Sequence, residues 1–177
     1  TYIVEQGTIL GTSVDDSPNS FLATTKSYKD FELELEVKLD EKLNSGIQIR
    51  SHVNDGSVKG MPVSGPQIEI YTAGEETSYS GFIYGEGMKI GGWLTPKERH
   101  IKHSHYKNGE WNHYRIVANG STVQTWINGQ QVSNLTHEQA YTMSPEGFIA
   151  LQVHSIPKSL RGKGPFKVQW RNIKIKA

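Results

Sequence analysis

Apolar and polar residues alternate along most of this chain. Residues 31–39 read FELELEVKL, with five apolar residues on one face and three glutamates and a lysine on the other. A helix would spread the apolar residues around its circumference, so the pattern predicts a strand with one buried and one wet face. Similar stretches predict further strands at residues 2–10, 21–25, 46–52, 66–72, 81–84, 111–118, 122–127, 147–154 and 166–175.

Turn residues separate these predicted strands. Asn119-Gly120 is a strong hairpin signal, and Asn128-Gly129 predicts a second turn soon after it. Clusters of Gly, Asn, Asp, Ser and Pro predict long loops at 11–20, 54–66 and 85–97. Helix is expected only within 136–146. The chain is therefore expected to form an all-β sandwich or jelly roll, as a single domain over residues 1–177.

The last predicted strand changes phase. Phe166, Val168 and Trp170 share one face, whereas Ile173 and Ile175 belong to the other. A bulge near Arg171-Asn172 would reconcile the two halves, and burial of both faces is the alternative.

Three predicted strands place long polar side chains opposite isoleucine, leucine and valine. Since alternate residues of a strand project to opposite faces, these polar side chains share one face if the three strands lie in one sheet. Long hydrogen-bonding groups of this kind suit a sugar, although antiparallel sheets commonly have an ordinary wet face. The polar residues are Gln48, Arg50, Gln67, Glu69, Gln152 and His154.

Aromatic and histidine residues near the predicted loops add candidates. Tyr84 and Trp93 have flat rings that can stack on the C–H faces of a sugar. His100, His103 and His105 form an H-x-x-H-x-H pattern. On an extended segment His103 and His105 share a face, where they could bind a metal or form a rim over the sugar site.

Composition narrows the classes of function. The 177 residues include no cysteine, which excludes disulfides, thiolate metal sites and a cysteine nucleophile. The net charge of +1 gives no electrostatic footprint for nucleic acid. No apolar run approaches the length of a membrane span. The opening TYIVEQGTIL lacks the features of a signal peptide, so a removed leader and an excised domain both remain open.

Several segments together resemble the 3-keto-disaccharide hydrolase family over nearly the whole chain. The resemblance implies a concanavalin-like jelly-roll sandwich of two curved antiparallel sheets, with the site on the concave face. It also implies hydrolysis or β-elimination of glycosides oxidised at C3, in a periplasmic or extracellular protein. The segments are NSGIQIR (44–50), GPQIEIY (65–71), SGFIYG (80–85), GEWNHYRIVANGSTVQTWINGQQV (109–132), GFIALQVHS (147–155) and VQWRNIKIK (168–176).

The sequence departs from the family pattern in three places. An opening segment like LFNGKDLSGW is absent, so we expect a trimmed chain or a sub-domain. The usual QDHG is here Gln152-Val153-His154-Ser155, which keeps the histidine without the acid or the glycine. The usual Lys-Pro before GEWN is here Lys107-Asn108.

The implied chemistry assigns roles to the candidates. A ketone at C3 acidifies the C2 proton, so cleavage needs a base, an electrophile for the C3 oxygen and an acid for the leaving group. His154 is the expected base, Arg50 the oxyanion partner, and Glu69 the acid or its orienter. A divalent metal could replace Arg50. The expected substrate-binding residues are Gln48, Gln67, Tyr84, Trp93, His103, His105, Lys107 and Gln152.

Other functions remain open on the sequence. An ordinary glycosidase would need two carboxylates, and Glu86, Glu98 and Glu110 are candidates for the second. A non-catalytic carbohydrate-binding module would use the same fold, and so would an adhesive domain of a larger exported protein.

Overall fold

The computed structural model describes residues 2–71 and 79–177, which form twelve strands and little helix. One short α-helix, α1 (Glu138–Met143), and two single 3₁₀ turns, Lys97–Arg99 and Lys158–Leu160, interrupt the strands. The strands are β1 (Tyr2–Glu5), β2 (Thr8–Ser13), β3 (Ser20–Ala23), β4 (Phe31–Leu39), β5 (Asn44–Val53), β6 (Val63–Tyr71), β7 (Ile83–Glu86), β8 (Asn112–Asn119), β9 (Thr122–Ile127), β10 (Gln130–Thr136), β11 (Phe148–Val153) and β12 (Phe166–Lys176).

The strands form two antiparallel sheets. The larger sheet has the order β1-β2-β12-β4-β8-β9-β10, and the smaller has the order β3-β11-β5-β6-β7. The non-sequential order is that of a jelly roll, so the predicted all-β sandwich is confirmed. Within the described part of the chain, no helix is both long and apolar enough to cross a membrane.

Alternation along β4 sets the core of the sandwich. Its five apolar residues are buried, and its charged residues are only partly covered on the opposite face. Trp170 on β12 and Tyr114 on β8, the strands either side of β4, are fully buried beside them. The two-residue alternation therefore gives a sheet with one buried face and one partly exposed face, as predicted.

Two turns and one bulge form where the sequence predicts them. Asn119-Gly120 and Asn128-Gly129 join β8 to β9 and β9 to β10. The register of β12 against β4 shifts between Arg171 and Lys174, where Asn172 has a φ of 53°. The predicted bulge is confirmed, and it lets Ile175 pack against the core from a strand that began on the other phase.

Strands extend further into the predicted loops than the turn residues suggest. Sheet pairing reaches Ser13 on β2, begins at Val63 on β6 and runs to Glu86 on β7. The predicted strand at 66–72 ends at Tyr71 in the described chain, and residue 72 lies outside the described residues. The extension of β7 places the carboxylate of Glu86 on a sheet face.

A bulge in β5 decides which way its polar residues point. Pairing with β6 shifts register between Gln48 and His52, and Arg50 has a φ of 47°. Gly65 and Gly147 pack against the bulged backbone, where a Cβ on either would overlap it. Because both glycines leave room for the bulge, β5 carries one residue more than the strands paired with it. The alternation of side chains between the two sheet faces that holds at Gln48 therefore does not extend to Arg50.

Candidate active site

A cleft of about 290 Å³ lies on the face of the smaller sheet that is turned away from the core. Tyr84 lies opposite Gln67 in the pairing of β6 with β7, so side chains from both strands project into the same space. The next strand along the sheet, β5, contributes from its first residue, and β11 contributes from its end. The cleft is lined by Asn19, Asn44, Met61, Gln67, Glu69, Tyr84, Glu86, Trp93, Gln152 and His154.

A chain of hydrogen bonds runs across the floor of the cleft to Glu69. Ser51 donates from Oγ to Oε1 of Gln48 at 2.7 Å. Gln48 donates from Nε2 to Oε1 of Gln67 at 2.6 Å, and Gln67 donates from Nε2 to Oε1 of Glu69 at 2.6 Å. All four residues are buried. Gln48, predicted to bind substrate, lies outside the cleft lining and acts on it through Gln67.

Glu69 is a buried carboxyl group that resists ionisation. Removal from water raises its pKa to about 7, against the opposing effect of hydrogen bonds from Gln67 and Asn44. The negative charge of Glu86 acts in the same direction as burial and is part of this rise in the pKa of Glu69. Near neutral pH the group therefore exists in both forms and can give up a proton, as an acid for the leaving group requires.

Glu86 provides a second carboxylate in the cleft. It is the last residue of β7, lies opposite Gly65 and is buried, and desolvation raises its pKa. On the sequence, Glu86 falls in the loop predicted at 85–97, because the Gly-rich run around it hides the strand. The other two candidates for a second carboxylate, Glu98 and Glu110, are exposed and lie outside the cleft lining.

His154 lies one residue beyond β11, where it lines the cleft and is half-buried. Its Nδ1 is 2.7 Å from the backbone carbonyl of Ser155. A carbonyl only accepts, so Nδ1 carries the hydrogen and the neutral ring keeps an unprotonated Nε2. The backbone carbonyl of Ser155 therefore fixes the tautomer of His154. Nε2 has no hydrogen bond to any of the described residues and is free to accept a proton.

Two amide oxygens in the cleft are buried without a partner among the described residues. They are Oδ1 of Asn44 and Oε1 of Gln152. Buried acceptors in proteins are nearly always satisfied, and a ligand that brings hydroxyl donors would satisfy both. Gln152 thus occupies the position expected of a substrate-binding residue, and Asn44 is an addition that the sequence pattern missed.

Trp93 and Tyr84 form an aromatic wall of the cleft, as predicted. Their rings meet edge to face with centroids 5.4 Å apart, and an isolated bridge joins their backbones. Tyr79 stacks on Trp93 at 5.2 Å, and His100 meets it edge to face at 4.7 Å. Trp93 is therefore held in place by neighbouring rings as well as facing the cleft.

The prediction that Arg50 faces this cleft is wrong. The bulge turns Arg50 toward the larger sheet, where its side chain is almost fully buried. Its guanidinium donates to the carbonyls of Lys29 at 2.5 Å and Gly120 at 2.7 Å, and it pairs with Asp30 at 3.1 Å. The cation also lies over the ring of Tyr141. All of these contacts are structural, so Arg50 is not available to a ligand in the cleft.

His103, His105 and Lys107 also lie outside the cleft lining. His103 donates from Nε2 to the carbonyl of Ser80 at 3.0 Å, and its Nδ1 accepts from the backbone N–H of His105. The two rings stack on each other at 4.9 Å. Lys107 is exposed, and its backbone bonds to Asn112. The structure therefore gives these three residues no contact with the cleft.

A metal shared by His103 and His105, one of the two alternatives left by the sequence, has no support in the described geometry. No group of three or more His, Cys, Asp or Glu side chains within residues 2–71 and 79–177 is arranged to hold a metal ion. A divalent metal at the C3 oxygen stays a prediction.

The fold and the cleft define a jelly-roll protein of the carbohydrate-active, glycosyl-hydrolase-like class. Residues 1–176 match the 3-keto-alpha-glucoside-1,2-lyase-like domain, and the chain belongs to that family. The resemblance found in the sequence is thereby confirmed.

Solved structures share this fold at low sequence identity. A candidate glycosyl hydrolase from Parabacteroides distasonis is 23% identical, with a TM-score of 0.62 over 99% of this chain and 82% of its own. A carbohydrate binding module from Bacillus subtilis is 12% identical, with a TM-score of 0.59 over 100% and 91%. An alginate lyase variant bound to alginate tetrasaccharide is 11% identical, with a TM-score of 0.57 over 99% and 82%. The chain matches no curated protein sequence.

Proposed function

We propose that the protein cleaves glycosides already oxidised at C3, using His154 as base and Glu69 as acid. The observation that carries this proposal is that one cleft contains both an imidazole with an unprotonated Nε2 and a buried carboxyl group whose pKa is raised to about 7. Family membership supports the choice of a keto-sugar over other glycosides.

In the proposed reaction His154 acts as the base and Glu69 as the acid. Nε2 of His154 removes the proton from C2, which the neighbouring ketone has made acidic. The electron pair of the C2–H bond forms a C1–C2 double bond as the C1–O bond breaks, and Glu69 gives its proton to the departing oxygen. The products are an alcohol and an unsaturated keto-sugar. Addition of water across the double bond, hydroxyl to C1 and hydrogen to C2, then gives the free 3-keto sugar.

A donor for the C3 oxygen must come from another group, because Arg50 is turned away. The side-chain amides of Gln152 and Asn44 lie in the cleft and can donate N–H groups to a developing oxyanion. A divalent metal bound with the substrate is the alternative source of this stabilisation.

The test is incubation with a 3-keto-glucoside and with its unoxidised parent in D₂O, followed by mass spectrometry. We expect aglycone release from the oxidised sugar alone, with deuterium at C2 of the product. Release without deuterium would replace elimination by direct hydrolysis. Equal cleavage of the unoxidised parent would overturn the proposal in favour of an ordinary glycosidase that uses Glu69 and Glu86.

A second candidate function is sugar binding without catalysis. The two unpartnered amide oxygens and the aromatic wall would bind a sugar whether or not a reaction followed. Binding of the keto-sugar and its parent with similar affinity, and with no turnover of either, would support this function.

A periplasmic or extracellular location is part of the proposal and rests on the family resemblance. Fractionation of the native host, with detection of this domain outside the cytoplasm, is the direct test.

A further inference from the structure

Three hydrogen bonds in series run in one direction across the floor of the cleft. Ser51 donates to Gln48, Gln48 to Gln67, and Gln67 to Glu69. A glutamine amide has a donor end and an acceptor end, so the direction of one bond fixes the next. Because Oε1 of Gln67 accepts from Gln48, its Nε2 must face Glu69 and donate to it.

Gly46 makes this arrangement possible. It lies opposite Glu69 in the pairing of β5 with β6, and the side chain of Gln67 lies directly over it. A Cβ at residue 46 would overlap the Cγ, Cδ and Nε2 atoms of Gln67. Hydrogen bonds to Gln48 and Glu69 hold the terminal amide over Gly46, so a side chain at residue 46 would displace it.

The two oxygens of Glu69 therefore differ. Oε1 accepts a short bond from Gln67, and that bond excludes a proton on the Gln67 side of Oε1. At Oε2 the side-chain amide of Asn44 makes a long contact, 3.4 Å. Because this contact is weak, Oε2 is the oxygen of Glu69 that can carry the proton.

We propose that Gln67 is a positioning residue that keeps Oε1 of Glu69 as an acceptor and thereby places the acid proton on Oε2. The proposal rests on the proposed function for what the proton does, namely protonate the departing oxygen. The placement itself is a property of the unliganded protein. The same bond favours the ionised carboxylate, so it also lowers the pKa of Glu69.

The experiment is a ¹³C NMR titration of the Glu69 carboxyl carbon, assigned with Glu69→Gln, in wild type and Gln67→Met. Methionine keeps the length and burial of glutamine but cannot donate. We expect the titration midpoint of Glu69 to move to higher pH, because the ionised form has lost a donor. On a keto-glycoside the basic limb of the pH profile should move in the same direction, with kcat reduced by roughly tenfold.

A second variant perturbs the same bond without substituting Gln67 or Glu69. Gly46→Ala should displace Gln67 and raise the midpoint of Glu69, so it replaces Gln67→Met if that variant does not fold. Gln124→Met is the matched control, since Gln124 lies on β9 of the other sheet, outside the cleft lining. It should change neither the midpoint nor turnover.

The titration separates the two proposals. An unchanged midpoint of Glu69 in Gln67→Met and Gly46→Ala would overturn the positioning role, whatever the activity. A shifted midpoint in a protein that turns over no keto-glycoside would keep the positioning role and reject the proposed function.

Discussion

Arg50 donates a hydrogen bond from Nη1 to the backbone carbonyl of Gly120, at 2.7 Å. Arg50 belongs to β5 of the smaller sheet, and Gly120 is in the turn between β8 and β9 of the larger sheet. The bond therefore ties one sheet to the other. Asp30, which precedes β4, accepts from both the guanidinium of Arg50 and the N–H of Gly120. The buried cation joins three separate segments at one corner of the sandwich.

Replacing Arg50 should destabilise the fold and spare the cleft. In Arg50→Met the carbonyls of Lys29 and Gly120 lose their donor, and we expect a loss of about 2–4 kcal/mol in the free energy of unfolding. Urea denaturation measures it. Sugar affinity should stay within about threefold, because Arg50 does not face the cleft. Arg161→Met, at an exposed ion pair, is the control and should change stability by less than about 0.5 kcal/mol. Loss of affinity in a folded Arg50→Met would contradict this view.

Stability should fall as pH rises from about 4.5 to about 7. Folding raises the pKa of Glu69 from 4.5 to about 7, so the folded protein holds this proton more tightly than the unfolded chain. The resulting contribution is fully present below about pH 4.5 and is lost by about pH 7, to a total of roughly 3 kcal/mol. Urea denaturation between pH 4.5 and 8 should show a shallower fall for Glu69→Gln than for wild type.

Glu86 contributes to the same pH dependence in the same direction, since burial also raises its pKa. Glu69→Gln should therefore reduce the slope without abolishing it. The exposed Glu98→Gln variant is the control. If wild type and Glu69→Gln follow parallel curves, Glu69 is ionised in the folded protein at neutral pH and cannot serve as the acid.

Trp93 should matter for both binding and stability. Trp93→Ala removes a wall of the cleft, and we expect sugar binding to weaken by about 1–3 kcal/mol. The ring also packs on Tyr79, Tyr84 and His100, so thermal stability should fall as well. Isothermal titration calorimetry and a thermal melt measure the two effects. Trp111→Ala, which removes a ring under Arg171 outside the cleft, should lower stability alone. Unchanged sugar affinity in folded Trp93→Ala would show that the ring only packs.

Regular strands made much of the site predictable. Alternation along β6 and β11 places Gln67, Glu69 and Gln152 on one face with no knowledge of the fold, and the structure finds all three in the cleft. His154 continues the phase of β11 by one residue and joins them. Because strand period is a local property, these residues could be chosen from short stretches of sequence.

The remaining residues depend on contacts between distant segments. The face on which Arg50 lies is set by a bulge and not by simple alternation. The bulge is permitted by Gly65 on β6 and by Gly147, which immediately precedes β11. Glu86 lies in a Gly-rich run whose strand character comes from pairing with β6. A single sequence gives no signal for either, except that glycine within a strand can mark a bulge or a close approach.

His154→Ala should separate binding from chemistry. Without an imidazole the C2 proton has no acceptor, so turnover of a 3-keto-glycoside should fall by roughly 10²–10⁴-fold, while sugar affinity stays within about tenfold. Stopped assays across pH 5–9 with a keto-glycoside measure the first effect and calorimetry the second. His52→Ala, an exposed histidine on β5 outside the cleft lining, is the control and should behave as wild type. Turnover by His154→Ala within about threefold of wild type would remove His154 as base and transfer that role to Glu86, the second carboxylate of the cleft.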